Sequence, residues 1–364
     1  MSSPQPLSAA IIGCGVIAPT HIESLQKLPA VAVRWACDLK REAREAVAAK
    51  YGIERRAADY HEVLADDAVD LVCVCTDHAS HPQIVCDALA AGKHVLCEKA
   101  LAPSLEGLEQ MRRCHAEHPE PVFSGVFQHR FEGVNRQLRE LVQQGALGTL
   151  LNAGMVVNCH RTEAYYADDW HGTWAREGGS VLINQAIHFV DLLQWITGGV
   201  ASVSAQWANL GHEGVIETED TLVAALRLRT GGLATLRVTS ASHINWQFGL
   251  SLVGTEGAIQ TRNNDPTTVS FKDADQQQRV QDLLSTAGDP EAVESGRAYY
   301  GSGHPAQVAD VVDAIREGRE PYVTGEAAMH TVQVVLAAYE SGRTGRLVEV
   351  PAPVDAPGEL VAAG

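Results

Sequence analysis

Three observations predict an α/β chain of two domains. Short apolar runs alternate with helical patterns over the first 125 residues. Beyond them, longer strand-like runs follow one another with few helices between. The length, 364 residues, exceeds what one ordinary core holds. The first pattern is that of right-handed βαβ units on a parallel sheet. The second predicts an α+β domain with a large, mostly antiparallel open sheet. The spans drawn are 1–125 and 126–350, and the Pro/Ala-rich stretch 351–364 is expected to be a disordered tail.

The elements justify this in order. "SAAIIG" (8–13) reads as a strand, 18–28 as a helix, "VAVRWAC" (31–37) as a strand and 40–51 as a helix rich in Ala, Glu and Arg. "VDLVCVC" (69–75) is almost continuously apolar, the mark of a strand buried on both faces. A helix at 82–91, the strand "KHVLCEK" (93–99), a helix at 104–117 and the strand "VFSGVFQ" (122–128) complete the alternation. "NRQLRELVQQGALG" (135–148) is a helix with a glycine stop. Strand-like runs then fall at 149–160, 200–210, 220–230, 232–242, 247–254 and 257–261, with "RTGG" (229–232) a hairpin signal. Residues 262–300 are polar and weakly periodic, so a long loop is expected there before helices at 304–317 and 325–341.

Composition narrows the function classes. Hydrophobic content of 45% with 20% charged residues fits a globular protein. A formal net charge of −17 argues against a nucleic-acid or anionic-membrane surface. No apolar run approaches the roughly 20 residues that span a bilayer. The start, "MSSPQPLSAA", lacks the basic and apolar regions of a signal peptide, so a cytoplasmic protein is expected. The eight cysteines lie between Cys14 and Cys159 without a CxxC or zinc-type spacing, which predicts free buried thiols and no metal.

Two stretches carry chemistry. "IIGCGVIAPTH" follows the first strand and opens a helix, and Gly13, Gly15 and Ala18 fit G-x-G-x-x-G/A. Small residues let the chain turn tightly and approach a pyrophosphate at the helix N-terminus, so this loop, with Val16 and Ile17, is read as a dinucleotide site. Asp38 ends the second strand about twenty residues on, where a carboxylate accepts from ribose hydroxyls and repels a 2′-phosphate. NAD is therefore expected over NADP. The other stretch is "GGSVLINQAIHFVDLL" (178–193). On a helix, Asn184 and His188 would share one face, while Ile183, Ile187 and Val190 would be buried on another.

Taken together, "GCGVIAPTH", "VCTDHASH", "AGKHVLCEKAL", "FQHRF", "GALG", "GGSVLINQAIHFVDLL" and "HPAQVADVVDAIREGREPYVTGEAA" resemble the glucose–fructose oxidoreductase, inositol dehydrogenase and rhizopine-catabolism (Gfo/Idh/MocA) family. The resemblance implies an N-terminal Rossmann domain and a C-terminal sheet domain through which two or four copies associate. It implies hydride transfer between nicotinamide and a secondary hydroxyl of a sugar, sugar derivative or cyclitol.

Residue by residue, Glu98 and Lys99 match the family's Glu-Lys-Pro motif, whose lysine contacts the reacting hydroxyl and the nicotinamide ribose. Ala100 stands in place of the motif's proline, leaving open whether the preceding bond is cis, as is usual there, or trans. Thr76, His78 and His81 match the nicotinamide-side loop. His188 matches the catalytic histidine, and Asn184 falls where many members carry Asp. "NQAIH" and "RTEAYYADDWHGTW" (161–174) resemble the branch of UDP-N-acetylglucosaminuronate 3-dehydrogenases, which adds Arg161, Tyr165 and Trp170 as substrate contacts. Two other functions remain in view: glycoside cleavage through a transient 3-keto intermediate with NAD kept bound, and a non-catalytic NAD-binding regulator.

Overall fold

The computed structural model describes residues 6–288 and 301–353. The chain forms two compact units, Met1–Phe127 with Gly303–Met329, and Gln128–Ser302 with His330–Gly364. In the first, β1 (Leu7–Ile12), α1 (Ala18–Gln26), β2 (Val31–Cys37), α2 (Arg41–Tyr51), β3 (Arg55–Ala57), α3 (Tyr60–Leu64), β4 (Leu71–Val74), α4 (His81–Ala90), β5 (His94–Cys97), α5 (Leu105–Glu117) and β6 (Phe123–Gly125) follow in sequence. All strand pairs are parallel, in the order β3-β2-β1-β4-β5-β6. Every residue of β1 and β4 is buried, as a strand covered on both faces requires. The strand order reverses between β1 and β4, and the crevice at that point is where such sheets hold ligands.

The second unit carries α6 (Gly133–Gln143), β7 (Leu150–His160), α7 (Ile187–Thr197), β8 (Val200–Ala208), β9 (Thr221–Leu228), β10 (Leu233–Thr239), β11 (Ala241–Gly254), β12 (Gly257–Arg262), β13 (Asp265–Phe271) and α8 (Ala274–Thr286). Its sheet runs β13-β12-β11-β7-β10-β9-β8 and ends on a short β14 (Val348–Glu349). Only β7 and β10 pair in parallel. Burial alternates: Leu222, Ala224, Leu226 and Leu228 of β9 are buried, while Val223, Ala225 and Arg227 are exposed. One face is therefore covered and the other open.

Several elements depart from the expectations. The loop expected at 262–300 contains β13 and α8; residues 289–300 lie outside the described ones. Asp273 caps α8 by accepting from Gln276 N at 2.7 Å, yet the helix buries only Val280 and Leu284, too narrow a stripe to show as periodicity. The helix expected after Gly178 and Gly179 starts with a π-helical turn, Val181–Gln185, ahead of α7. The segment α9 (His304–Glu317), placed with the second domain by sequence order, packs on α1 in the first unit: Val308, Val311 and Val312 join Ile22 and Leu25 in one core. The helix α10 (Gly325–Thr344) follows it. The expected tail lies, from residue 354 on, outside the described residues.

The cysteine reading also needs correction. Cys86 of α4 and Cys114 of α5 form a disulfide, their Cα atoms 5.4 Å apart where the two helices pack together. The other six cysteines are free and buried. No helix among the described residues is long and apolar enough to cross a membrane, and no group of residues there could hold a metal ion.

Candidate active site

The nucleotide side is built largely from backbone. Gly13 turns the chain after β1 with φ +96°, and a Cβ there would meet the Cys75 carbonyl oxygen at 2.5 Å. Only glycine fits. At Gly15 a Cβ would meet nothing within 4 Å, so the protein's own packing does not demand glycine; the space above the loop is open. Val16 is 62% exposed on that loop. Ile17 occupies the N-cap of α1, and among the described residues no side chain caps this helix. Its first-turn N–H groups are the donors a pyrophosphate needs. The loop therefore fits a dinucleotide. Asp38, at the end of β2, accepts from Cys14 N at 2.8 Å and from Lys40 N at 2.7 Å, which fixes its carboxylate beside the glycine loop.

Lys99 follows β5 at the same end of the sheet, half-buried, and its bond to Ala100 is cis. The neighbouring Glu98 is anchored by His21 of α1, whose Nε2 lies 2.7 Å from its Oε1, while its Oε2 accepts from Lys99 N at 3.1 Å. Burial alone would raise the Glu98 carboxyl; the His21 bond and charge outweigh it and hold the group well below the usual range. Thr76 accepts a hydrogen bond from Ser80 at 2.8 Å, and His78 is buried nearby in the chain. His81, expected on the cofactor, is fully buried, with its ring nitrogens 2.9 Å from Ala100 O and 3.0 Å from Thr76 O. Its ring braces one loop against the other.

In the second unit, Glu219 explains the π turn. Its carboxylate accepts from Leu182 N at 2.9 Å and Ser180 N at 3.1 Å, and from the Tyr339 hydroxyl at 2.8 Å. The Ala186 N–H then reaches back five residues to Val181 O. Gly179, at φ +152°, makes room for Tyr339: a Cβ there would lie 2.1 Å from its hydroxyl oxygen. Burial pushes Glu219 up to about 7 despite these donors.

This turn presents Asn184, and His188 stands on the first turn of α7, half-buried. The two are therefore not a turn apart on one regular helix. The His188 ring meets His129 edge-on at 5.3 Å between centroids, and His129 Nδ1 lies 2.9 Å from Glu132. Asn184 donates to Glu177 at 2.5 Å and to the Tyr165 hydroxyl at 3.3 Å. Gln185 also donates to Tyr165, at 2.8 Å, and its Oε1 accepts from Arg161 Nε at 3.1 Å and from Arg161 Nη2. Arg161 thus holds Gln185. Trp170 joins the group through His171, which lies 3.8 Å from it and 4.5 Å from Tyr165, ring to ring.

Sequence reasoning missed Glu177, Glu219 and Tyr339. An acid directly before Gly178 and Gly179 was the one available signal; Glu219 sits in "ETED", which reads as surface.

Comparison with known proteins assigns both domains to a family. A model described as an oxidoreductase family, NAD-binding Rossmann fold, matches residues 7–126, and one for that family's C-terminal alpha/beta domain matches 139–350. Myo-inositol 2-dehydrogenase of Thermotoga maritima is 25% identical, over 93% of this chain and 97% of its own. D-apiose dehydrogenase of Rhizobium rhizogenes is 26% identical, over 95% and 98%. The WlbA dehydrogenase of Bordetella pertussis, solved with NADH and UDP-GlcNAcA, superposes with a TM-score of 0.86 at 26% identity, covering 97% of this chain and all of that one. With both domain models matched across most of its length, the chain belongs to the Gfo/Idh/MocA family of oxidoreductases, with an NAD-binding Rossmann domain.

Proposed function

We propose that this protein transfers a hydride between nicotinamide and a secondary hydroxyl of a sugar, sugar derivative or cyclitol, with NAD preferred to NADP. The observation that carries the reading is the polar group around the π turn, Asn184, Tyr165 and Gln185, on the turn that leads into the helix of His188, in a family whose first domain binds NAD. Bound nicotinamide supplies the hydride acceptor. In this reading His188 takes the hydroxyl proton, an imidazole being suited to that near neutral pH. Lys99 stabilises the developing alkoxide with its ammonium. Asn184 and Tyr165 orient hydroxyls, and Trp170 offers a face to the ring. Asp38 favours NAD because its charge repels a 2′-phosphate. The relatives named for inositol and apiose, and the neighbour solved with a nucleotide sugar, support a polyhydroxylated substrate.

The open face of the second unit's sheet, where Val223 and Leu233 are 46% and 52% exposed, is the surface we assign to pairing of two or four copies.

The test incubates the protein with NAD and a panel of sugars, sugar acids, nucleotide sugars, inositols and aryl glycosides. Absorbance at 340 nm and product mass are followed. Rising NADH with an oxidised product is expected. Cleaved glycoside without net NADH would replace the reading with redox-assisted cleavage, and a flat panel with NAD bound would replace it with a binding protein.

A further inference from the structure

His81 is the first residue of α4 and has no exposed surface. Its ring lies between two backbone carbonyls, with Nδ1 2.9 Å from Ala100 O and Nε2 3.0 Å from Thr76 O. A carbonyl oxygen can only accept, and a neutral imidazole has one N–H to give. Both contacts are therefore hydrogen bonds only when the ring carries two protons. With a single proton, a nitrogen lone pair faces a carbonyl oxygen, and that end must part. Thr76 comes two residues after β4, and Ala100 stands directly after Lys99. β1, β4 and β5 are parallel neighbours, so both segments leave the sheet at the end where the glycine loop also lies.

We propose that His81 is a positioning residue for Lys99: carrying two protons, its ring ties the segment after β5 to the loop after β4, and on losing one proton it releases one of them. The tie fixes the backbone next to Lys99 against the loop expected on the nicotinamide side, and so sets where the Lys99 ammonium stands. The inference rests on the proposed role of Lys99 and deepens that reading.

The groups around the ring set its proton balance. Burial, the largest influence, disfavours the second proton; the two carbonyls and the charges of Glu98 and Asp77 favour it, and the balance lies below the ordinary 6.5. The His78 ring lies 6.0 Å away between centroids. Lys99, beside Ala100 in the chain, is the neighbouring cation. The helix α5 approaches α4 at Gly107, where a Cβ would meet Pro82 Cγ at 3.0 Å, and its Glu106 is exposed. Glu98 stays paired with His21 in every variant considered.

The nitrogen resonances of the His81 ring are followed by NMR from pH 5 to 8 in the full chain. Two protonated nitrogens are expected at the acid end and one at the alkaline end. A ring with one proton throughout, or with two throughout, overturns the proposal. His81→Phe keeps a ring in the space and removes both hydrogen bonds. Its Tm, and its kcat on the substrate found from the panel with NAD saturating, are compared with wild type over the same range. The folded ring takes its second proton less readily than the unfolded chain does, so the wild type's advantage in Tm is expected to shrink as pH falls through the titration. Its advantage in kcat is expected to grow in the same direction, by about fivefold or more, since small misplacements of a reacting group are costly. His188 is common to both proteins and cancels in the ratio. A kcat ratio that is constant with pH, or that follows Tm, leaves His81 a packing residue and overturns the proposal. If His81→Phe does not fold, His81→Gln, with one amide nitrogen in place of two ring nitrogens, is measured with the same expectations. A panel without turnover would sink the dehydrogenase reading, while the ring resonances and unfolding curves still decide the proton-dependent tie.

Discussion

The two units build their candidate sites from different materials. Around Gly13 and Gly15 the working groups are backbone N–H donors, and Asp38 is tied to that backbone within one βαβ unit. Around Asn184 they are side chains, held by Glu177 and Glu219, two carboxylates with no exposed surface. Backbone donors need little support beyond the turn that exposes them. Side-chain amides can rotate, so each needs a partner that permits one orientation only. The second unit therefore uses buried carboxylates to orient its polar groups, whereas the buried Glu98–His21 pair of the first unit lies beside Lys99 rather than at the glycine loop.

That contrast can be broken in three places. The largest effect is expected at His188. His188→Ala should lower kcat by roughly 10²–10⁴-fold, the usual worth of a general base, while NAD affinity in a fluorescence titration stays at the wild-type value. Loss of NAD binding would show that His188 supports the nucleotide side.

Next is Glu219. Its folded-state pKa, about 7, lies above the ordinary 4.5, so the folded state holds more protons between those values. Stability is then expected to decline as pH rises through that window and to level off above it, by something of the order of 3 kcal/mol. Glu219→Gln should flatten this part of the curve, read by urea unfolding at pH 4.5, 6 and 8. A wild-type curve that rises across the window would contradict the buried carboxylate's role.

The smallest effect is expected at Asp38. Asp38→Ala removes the acceptor from Cys14 N and the charge that repels a 2′-phosphate. The ratio of NAD to NADP affinity should fall about tenfold, some 1.4 kcal/mol. An unchanged ratio would move cofactor discrimination elsewhere on the loop.

Much of the first unit was legible because its information is local. "GCGVIA" states its own geometry, and continuously apolar strands announce a sheet covered on both faces. In the second unit the strands were legible from their alternation. The π turn was not, because it is imposed by Glu219, which lies 37 residues from Leu182 in sequence. Its glycine requirement comes from Tyr339, 156 residues from Ile183, whose N–H donates to the same hydroxyl. The surroundings of His81 were hidden for a related reason: its motif position says nothing of the two carbonyls that claim its ring. Residues that contact a ligand sit in motifs, and the residues that aim them arrive from distant strands and helices.

The return of α9 to the first unit has a consequence for how the protein is made. The face of α1 formed by Ile22 and Leu25 is covered by Val308, Val311 and Val312. About 175 residues of the second unit separate these partners in the chain. At roughly 5–20 residues per second, translation leaves that face uncovered for about 10–35 seconds after the parallel sheet has emerged from the ribosome. The nucleotide-binding unit is the first to appear and among the last to be finished, and for that interval its surface is the natural client of a chaperone.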